Sequence, residues 1–103
     1  MAEFVPVGPA QAVGEGEMEA YTVGSRRIAV ARLEGVLYAF DDTCPHAACS
    51  LSQGELEDGT VICPCHFGTF DLASGAVLDG PPPSPITLYA AREVDGTLEI
   101  QAS

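Results

Sequence analysis

CPHAAC (Cys44–Cys49) and CPCHFG (Cys63–Gly68) hold all four cysteines and both histidines of a 103-residue chain. Cys44 and His46 stand one residue apart and Cys63 and His66 two apart, so each box offers one thiolate and one imidazole to a common centre. Thiolate together with imidazole suits zinc or iron–sulfur chemistry and turns away the hard cations, which want oxygen. A zinc finger groups its cysteines and groups its histidines, the latter on a helix, whereas here each box mixes the two. In one kind of [2Fe–2S] centre, one iron keeps two cysteines and the other takes two histidines, so each of two loops serves both irons. Cys-x-His, sixteen residues, then Cys-x-x-His meets that demand. A structural zinc site on the same four ligands, in an interaction module with no redox role, is the alternative.

At these residues the chain resembles the Rieske iron–sulfur family, whose pattern is Cys-x-His in one loop and Cys-x-x-His in a second. The likeness continues through FGTFD (Phe67–Asp71), SGAVL (Ser74–Leu78) and the prolines after Gly80. It implies that Cys44 and Cys63 bind the buried iron of a [2Fe–2S] cluster and that His46 and His66 bind the outer iron at the surface. It also implies a disulfide between Cys49 and Cys65, because the bc-complex branch carries a second cysteine in each loop and joins the two over the cluster. Closing a loop of about 16 residues stabilises by roughly 3 kcal/mol in the chain-entropy model. Two buried free thiols are the alternative in a reducing compartment. Pro45 and Pro64 stiffen the ligand loops by fixing φ and removing a donor, and Gly68 and Gly75 are candidate turn positions. In Rieske domains a proline loop covers a third side of the cluster, which the likeness places at 80–85; the residues expected to shield the cluster are Pro45, Pro64, Gly68, Pro81 and Pro82.

The chain departs from the bc branch just after His66. That branch follows the histidine with Gly, Ser, a variable residue and Tyr, whose hydroxyls donate hydrogen bonds to cluster and cysteine sulfur. Here the positions read Phe67, Gly68, Thr69 and Phe70. Hydrogen bonds to sulfur raise the reduction potential, so a value low in the Rieske range of roughly −150 to +300 mV is expected.

Length bounds the chain to one domain, residues 1–103, with a modest core. Fifteen acidic residues against four arginines and no lysine leave a formal charge of −11. Nucleic acid is thereby an unsuitable partner. No Lys or Arg occurs between Leu33 and Ala91, where Asp41, Asp42, Glu55, Glu57, Asp58, Asp71 and Asp79 fall, so this segment is expected to be strongly negative. A solvated acidic surface and a docking face for basic-patched partners both account for it. The start, MAEFVPVG, carries neither a basic n-region nor a membrane-length apolar run. The expectation is a soluble, cytoplasmic, monomeric protein with no membrane anchor.

Short apolar-alternating text predicts strands at Glu3–Val7 and Met18–Val23; Gly24-Ser25 then turns into a strand at Arg26–Leu33 and Gly35 turns back into Val36–Phe40, with an exposed loop over Gln11–Glu17. Short strands are expected at Gly59–Cys63, Thr69–Asp71 and Ala76–Leu78 within a cluster-binding subdomain of about 41–79. Ile86–Ala91 and Val94–Ile100 form a closing hairpin turned by Asp95-Gly96. No stretch shows sustained helical periodicity. The fold class is all-β, and the resemblance makes it a Rieske fold: an antiparallel β-sandwich or barrel-like base carrying a small inserted subdomain.

Four ligands saturate such a cluster and leave no open position for substrate, so the chain is expected to carry electrons and not to be an enzyme by itself. The resemblance implies a Rieske-type ferredoxin passing single electrons from a flavoprotein reductase to a ring-hydroxylating or related oxygenase. The Rieske-like small subunit of a nitrite reductase, or of another oxidoreductase complex, is the alternative. Reduction adds negative charge beside the imidazoles and raises their pKa, so the potential is expected to fall as pH rises.

Overall fold

A computed structural model of the chain describes residues 3–44, 49–65, 68–79 and 85–101. Its ten strands are β1 Phe4–Pro9, β2 Met18–Val23, β3 Arg26–Leu33, β4 Val36–Asp41, β5 Glu55–Glu57, β6 Thr60–Ile62, β7 Thr69–Asp71, β8 Val77–Asp79, β9 Leu88–Val94 and β10 Thr97–Gln101. All pairings are antiparallel. One sheet runs β1-β10-β9-β4-β3-β2 and the other β5-β6-β7-β8. The edge strands β1 and β2 approach each other, so the larger sheet curls toward a barrel. No helix among the described residues is long and apolar enough to cross a membrane.

Turn chemistry sets this topology. Glu34-Gly35, Asp58-Gly59 and Asp95-Gly96 each place two consecutive residues at φ between 48° and 79°, the type I′ geometry that joins twisted antiparallel strands in two residues. Gly24, at φ 64°, opens the β2–β3 turn. Glu34 tolerates its left-handed backbone because the Glu15 carboxylate accepts the N–H groups of both Glu34 and Gly35. The pKa of Glu15 is lowered by the bond from Gly35 and then by that from Glu34.

β3 is buried on both faces, and its alternation sorts the core in two. Ile28 and Val30 point inward with Val13, Ala39, Leu98 and Ile100, filling the curled sheet. Ala29 and Ala31 point outward with Phe40 toward Val61, Phe70 and Leu72 of the small sheet. Alanine on that face lets the small sheet approach closely.

Three expectations are corrected here. The 11–17 stretch is not simply an exposed loop: Ala10–Ala12 forms a single 3-10 turn and Val13 is fully buried. Arg32 fastens it, with Nε donating to the Val13 carbonyl at 2.7 Å and Nη2 to the Ala10 carbonyl at 3.0 Å. A 3-10 turn at Leu51–Gln53 and the strand β5 were not anticipated, because one half-buried Leu56 between exposed Glu55 and Glu57 is too short a pattern to read. The closing hairpin lies one to three residues later than expected, since Val94 pairs with Thr97 directly across the Asp95-Gly96 turn.

Candidate metal centre

The described ends of the two boxes, Cys44 with Cys49 and Cys63 with Gly68, form two equivalent loop roots. Thr43 bridges Ser50, and within that bridge the Cys44 N–H donates to the Cys49 carbonyl at 2.9 Å. Ile62 pairs with Thr69, and within that pair the Cys63 N–H donates to the Gly68 carbonyl at 2.8 Å. Each loop therefore begins with a cysteine, closes with the same bond between positions five apart, and has proline second.

Cys44 and Cys63 are 3% and 1% exposed and share one apolar cluster with Phe40, Leu51 and Phe70. Neither is in a disulfide. Cys49 and Cys65 are bonded to each other with Cα atoms 6.4 Å apart, inside the usual span for such bridges. The bridge ties one loop to the other, and its Cys65 end is exposed. Pro64 is exposed and Gly68 buried. His46, His66, Pro45, Pro81 and Pro82, named above from the sequence, lie outside the described residues. Among the described residues no three His, Cys, Asp or Glu side chains converge on a point. Two buried thiols rooted at paired loop tips nevertheless fit half of a mixed thiolate–imidazole donor set, and the two histidines belong to the same two loops.

Next to the root of the first loop stands a group that no local sequence pattern singles out. Asp42 is fully buried, correcting its place in the expected acidic surface. Its Oδ2 accepts from Arg27 Nε at 2.8 Å and its Oδ1 from the Ser52 backbone N–H at 2.8 Å. Burial pushes its pKa up, but hydrogen bonds from Ser52, Arg27 and Ser50 outweigh burial and hold it below the ordinary carboxylate value. Gly54 was missed as well: a Cβ there collides with the Ile62 carbonyl, one residue before Cys63. On the small sheet, the role of Gly75 is confirmed by φ 80° and by the Ile86 carbonyl, 2.6 Å from where a Cβ would stand.

Cationic charge is confined to the larger sheet. The four arginines belong to β3 and β9 of the larger sheet. The small sheet and its turns present exposed Glu55, Glu57, Asp58 and Asp79 and carry no cation.

A curled antiparallel sheet bearing a four-stranded subsheet with paired cysteine loops is the architecture of a Rieske domain. The Rieske [2Fe–2S] domain model matches residues 3–90, and the chain belongs to that family. It is similar to the anthranilate 1,2-dioxygenase ferredoxin subunit of Burkholderia cepacia, 39% identical over 97% of this chain and 93% of that protein. It is also similar to the ferredoxin component of the naphthalene 1,2-dioxygenase system of Pseudomonas aeruginosa, 35% identical over 78% and 77%. Among solved structures, the ferredoxin of carbazole 1,9a-dioxygenase from Nocardioides aromaticivorans superposes with a TM-score of 0.91 over 97% of this chain and 98% of that one; at 24% identity it speaks for the fold. A complex of reduced oxygenase and oxidised ferredoxin in carbazole 1,9a-dioxygenase contains a chain matching with TM-score 0.87 and 28% identity, over 95% and 92%.

Proposed function

We propose that the chain is a Rieske-type ferredoxin that delivers single electrons to a ring-hydroxylating oxygenase, receiving them from a flavoprotein reductase. The carrying observation is the pair of buried cysteines, Cys44 and Cys63, neither in a disulfide, at the roots of two loops closed by matched backbone bonds. Relatives named as ferredoxin components of dioxygenase systems, matched over most of their length, support the same reading.

In this proposal Cys44 and Cys63 hold one iron and His46 and His66 the other. A [2Fe–2S] cluster bound there supplies reversible one-electron chemistry. The chain's own part is threefold. It withholds water from the thiolates, which are almost wholly buried. It holds both loop roots with backbone hydrogen bonds, so little has to rearrange when charge changes. It carries the second loop on a small sheet whose exposed Glu55, Glu57, Asp58 and Asp79 have no cation among them, which attracts basic-patched partners and makes their association slow as salt rises.

The test is metal and sulfide analysis with EPR of the reduced protein. Two irons and two labile sulfides per chain, with an average g below that of an all-cysteine centre, are expected, and His66→Cys should shift or abolish the signal. Zinc without iron or sulfide overturns the proposal. Reoxidation of the reduced protein by a ring-hydroxylating oxygenase, slowed by salt, is expected for a carrier, whereas isolation only inside a fixed complex refutes the carrier role.

A further inference from the structure

We propose that Asp42 is the positioning residue of the metal centre: through the turn at Leu51–Gln53 it sets where the first ligand loop stands relative to the second. This rests on Cys44 and Cys63 being ligands, as proposed above.

Asp42 is the one fully buried charged side chain among the described residues, and it stands two residues before Cys44. Its backbone N–H donates to the Arg27 carbonyl at 3.0 Å and its carbonyl accepts the Leu51 N–H at 2.7 Å. Its carboxylate accepts from Arg27 Nε and from the Ser52 N–H, each at 2.8 Å. The chain entering the first loop is thereby bonded to β3 on one side and to the chain leaving the loop on the other, just below the Thr43–Ser50 bridge.

The same turn reaches the second loop. Gly54 donates its N–H to the Leu51 carbonyl at 2.9 Å and lies against the Ile62 carbonyl with no room for a Cβ. Ile62 is followed by Cys63. A continuous path of backbone links and close contacts thus runs from Cys44 through Asp42, Ser52, Gly54 and Ile62 to Cys63, and none of it passes through the disulfide. An apolar residue at 42 would fill the space but accept neither N–H, leaving a buried donor unmet. A fully satisfied buried carboxylate instead fixes one arrangement of the groups around it.

Asp42→Asn keeps the shape and an acceptor while removing the charge that binds two donors at once. Arg27→Gln is the comparison, because the Arg27 side chain is half-exposed and its loss leaves the Ser52 bond in place. Iron release to a chelator from the Asp42→Asn holoprotein is expected to be at least about tenfold faster than wild type, the scale seen when groups that orient metal ligands are removed. Its EPR g values and midpoint potential are expected to move as well. Arg27→Gln, which keeps the Ser52 bond and offers a side-chain amide N–H in place of the guanidinium, should change release by clearly less than Asp42→Asn. Wild-type release, spectrum and potential in Asp42→Asn overturn the inference. A wild-type spectrum without the mixed-ligand signature overturns the ligand assignment instead. If Asp42→Asn does not accumulate folded, hydrogen exchange on the wild-type holoprotein decides: Leu51 and Ser52 amides as protected as the centre of β3 uphold the inference, and exchange at loop rates overturns it.

Discussion

Replacing Gly54 with alanine adds one methyl group where the 51–53 turn meets β6. An ideally placed Cβ falls within the Ile62 carbonyl oxygen and 3.2 Å from the Leu51 carbonyl oxygen. Ordinary C···O contacts begin near about 3.3 Å. Neither oxygen belongs to a flexible side chain, and Ile62 is paired on both sides, with Glu55 and with Thr69. The strand that leads into Cys63 therefore has to move. Overpacking of this sort costs about 1–3 kcal/mol. At about 4–8 °C per kcal/mol for a domain of this size, melting should fall by roughly 5–20 °C. Gly96→Ala is the comparison: Gly96 has φ 79° but nothing within 4 Å of its added Cβ, so only the left-handed backbone cost of about 1–2 kcal/mol applies. Both variants should melt lower, and the discriminating readout is the reduced-state EPR spectrum. Gly54→Ala should alter it and Gly96→Ala should not, since the β9–β10 turn is at the end of β9 away from Leu88, which pairs with Phe40 near the first loop. A Gly54→Ala protein with wild-type melting and spectrum refutes the reasoning.

Other expectations follow from the same contacts. The folded pKa of Glu15 lies below its unfolded value, so its contribution is complete above the unfolded pKa and disappears as pH falls through the folded one; Glu15→Gln should flatten the acid limb of a stability–pH curve. Replacing both Cys49 and Cys65 with serine removes a cross-link of sequence separation 16 and should cost the apoprotein about 3 kcal/mol in denaturant unfolding. The cost should be smaller in the holoprotein if Cys44 and Cys63 share a centre as proposed; equal losses in the two forms count against their shared ligation. Voltammetry should place the potential in the lower part of the span of roughly −150 to +300 mV, because Phe70, at the tyrosine position of the bc branch, is fully buried without a hydroxyl. A value near the top of that span contradicts this.

The strands β2 and β3 were legible to the residue, because the Gly24-Ser25 turn bounds one end of each and a partly alternating six-residue stretch faces a β-branched apolar run across it. The I′ turn at Asp95-Gly96 was equally plain, while the limits of its strands were not: which residue beside a turn joins the ladder is settled by the partner strand. Arg32 illustrates the opposite case. In the sequence it is one of four cations, and only folding brings the Val13 and Ala10 carbonyls to its guanidinium.

The sequence by itself determined the chemistry on offer, since thiol and imidazole identity and their spacing are covalent facts, and with the turn residues it determined an all-β chain. The tertiary structure alone decided that Asp42 is interior while its neighbours Asp41 and Thr43 are not, and that Gly54 abuts the chain ahead of Cys63. Burial, close approach and the partner of a hydrogen bond join residues remote along the chain, and no local pattern of letters encodes them.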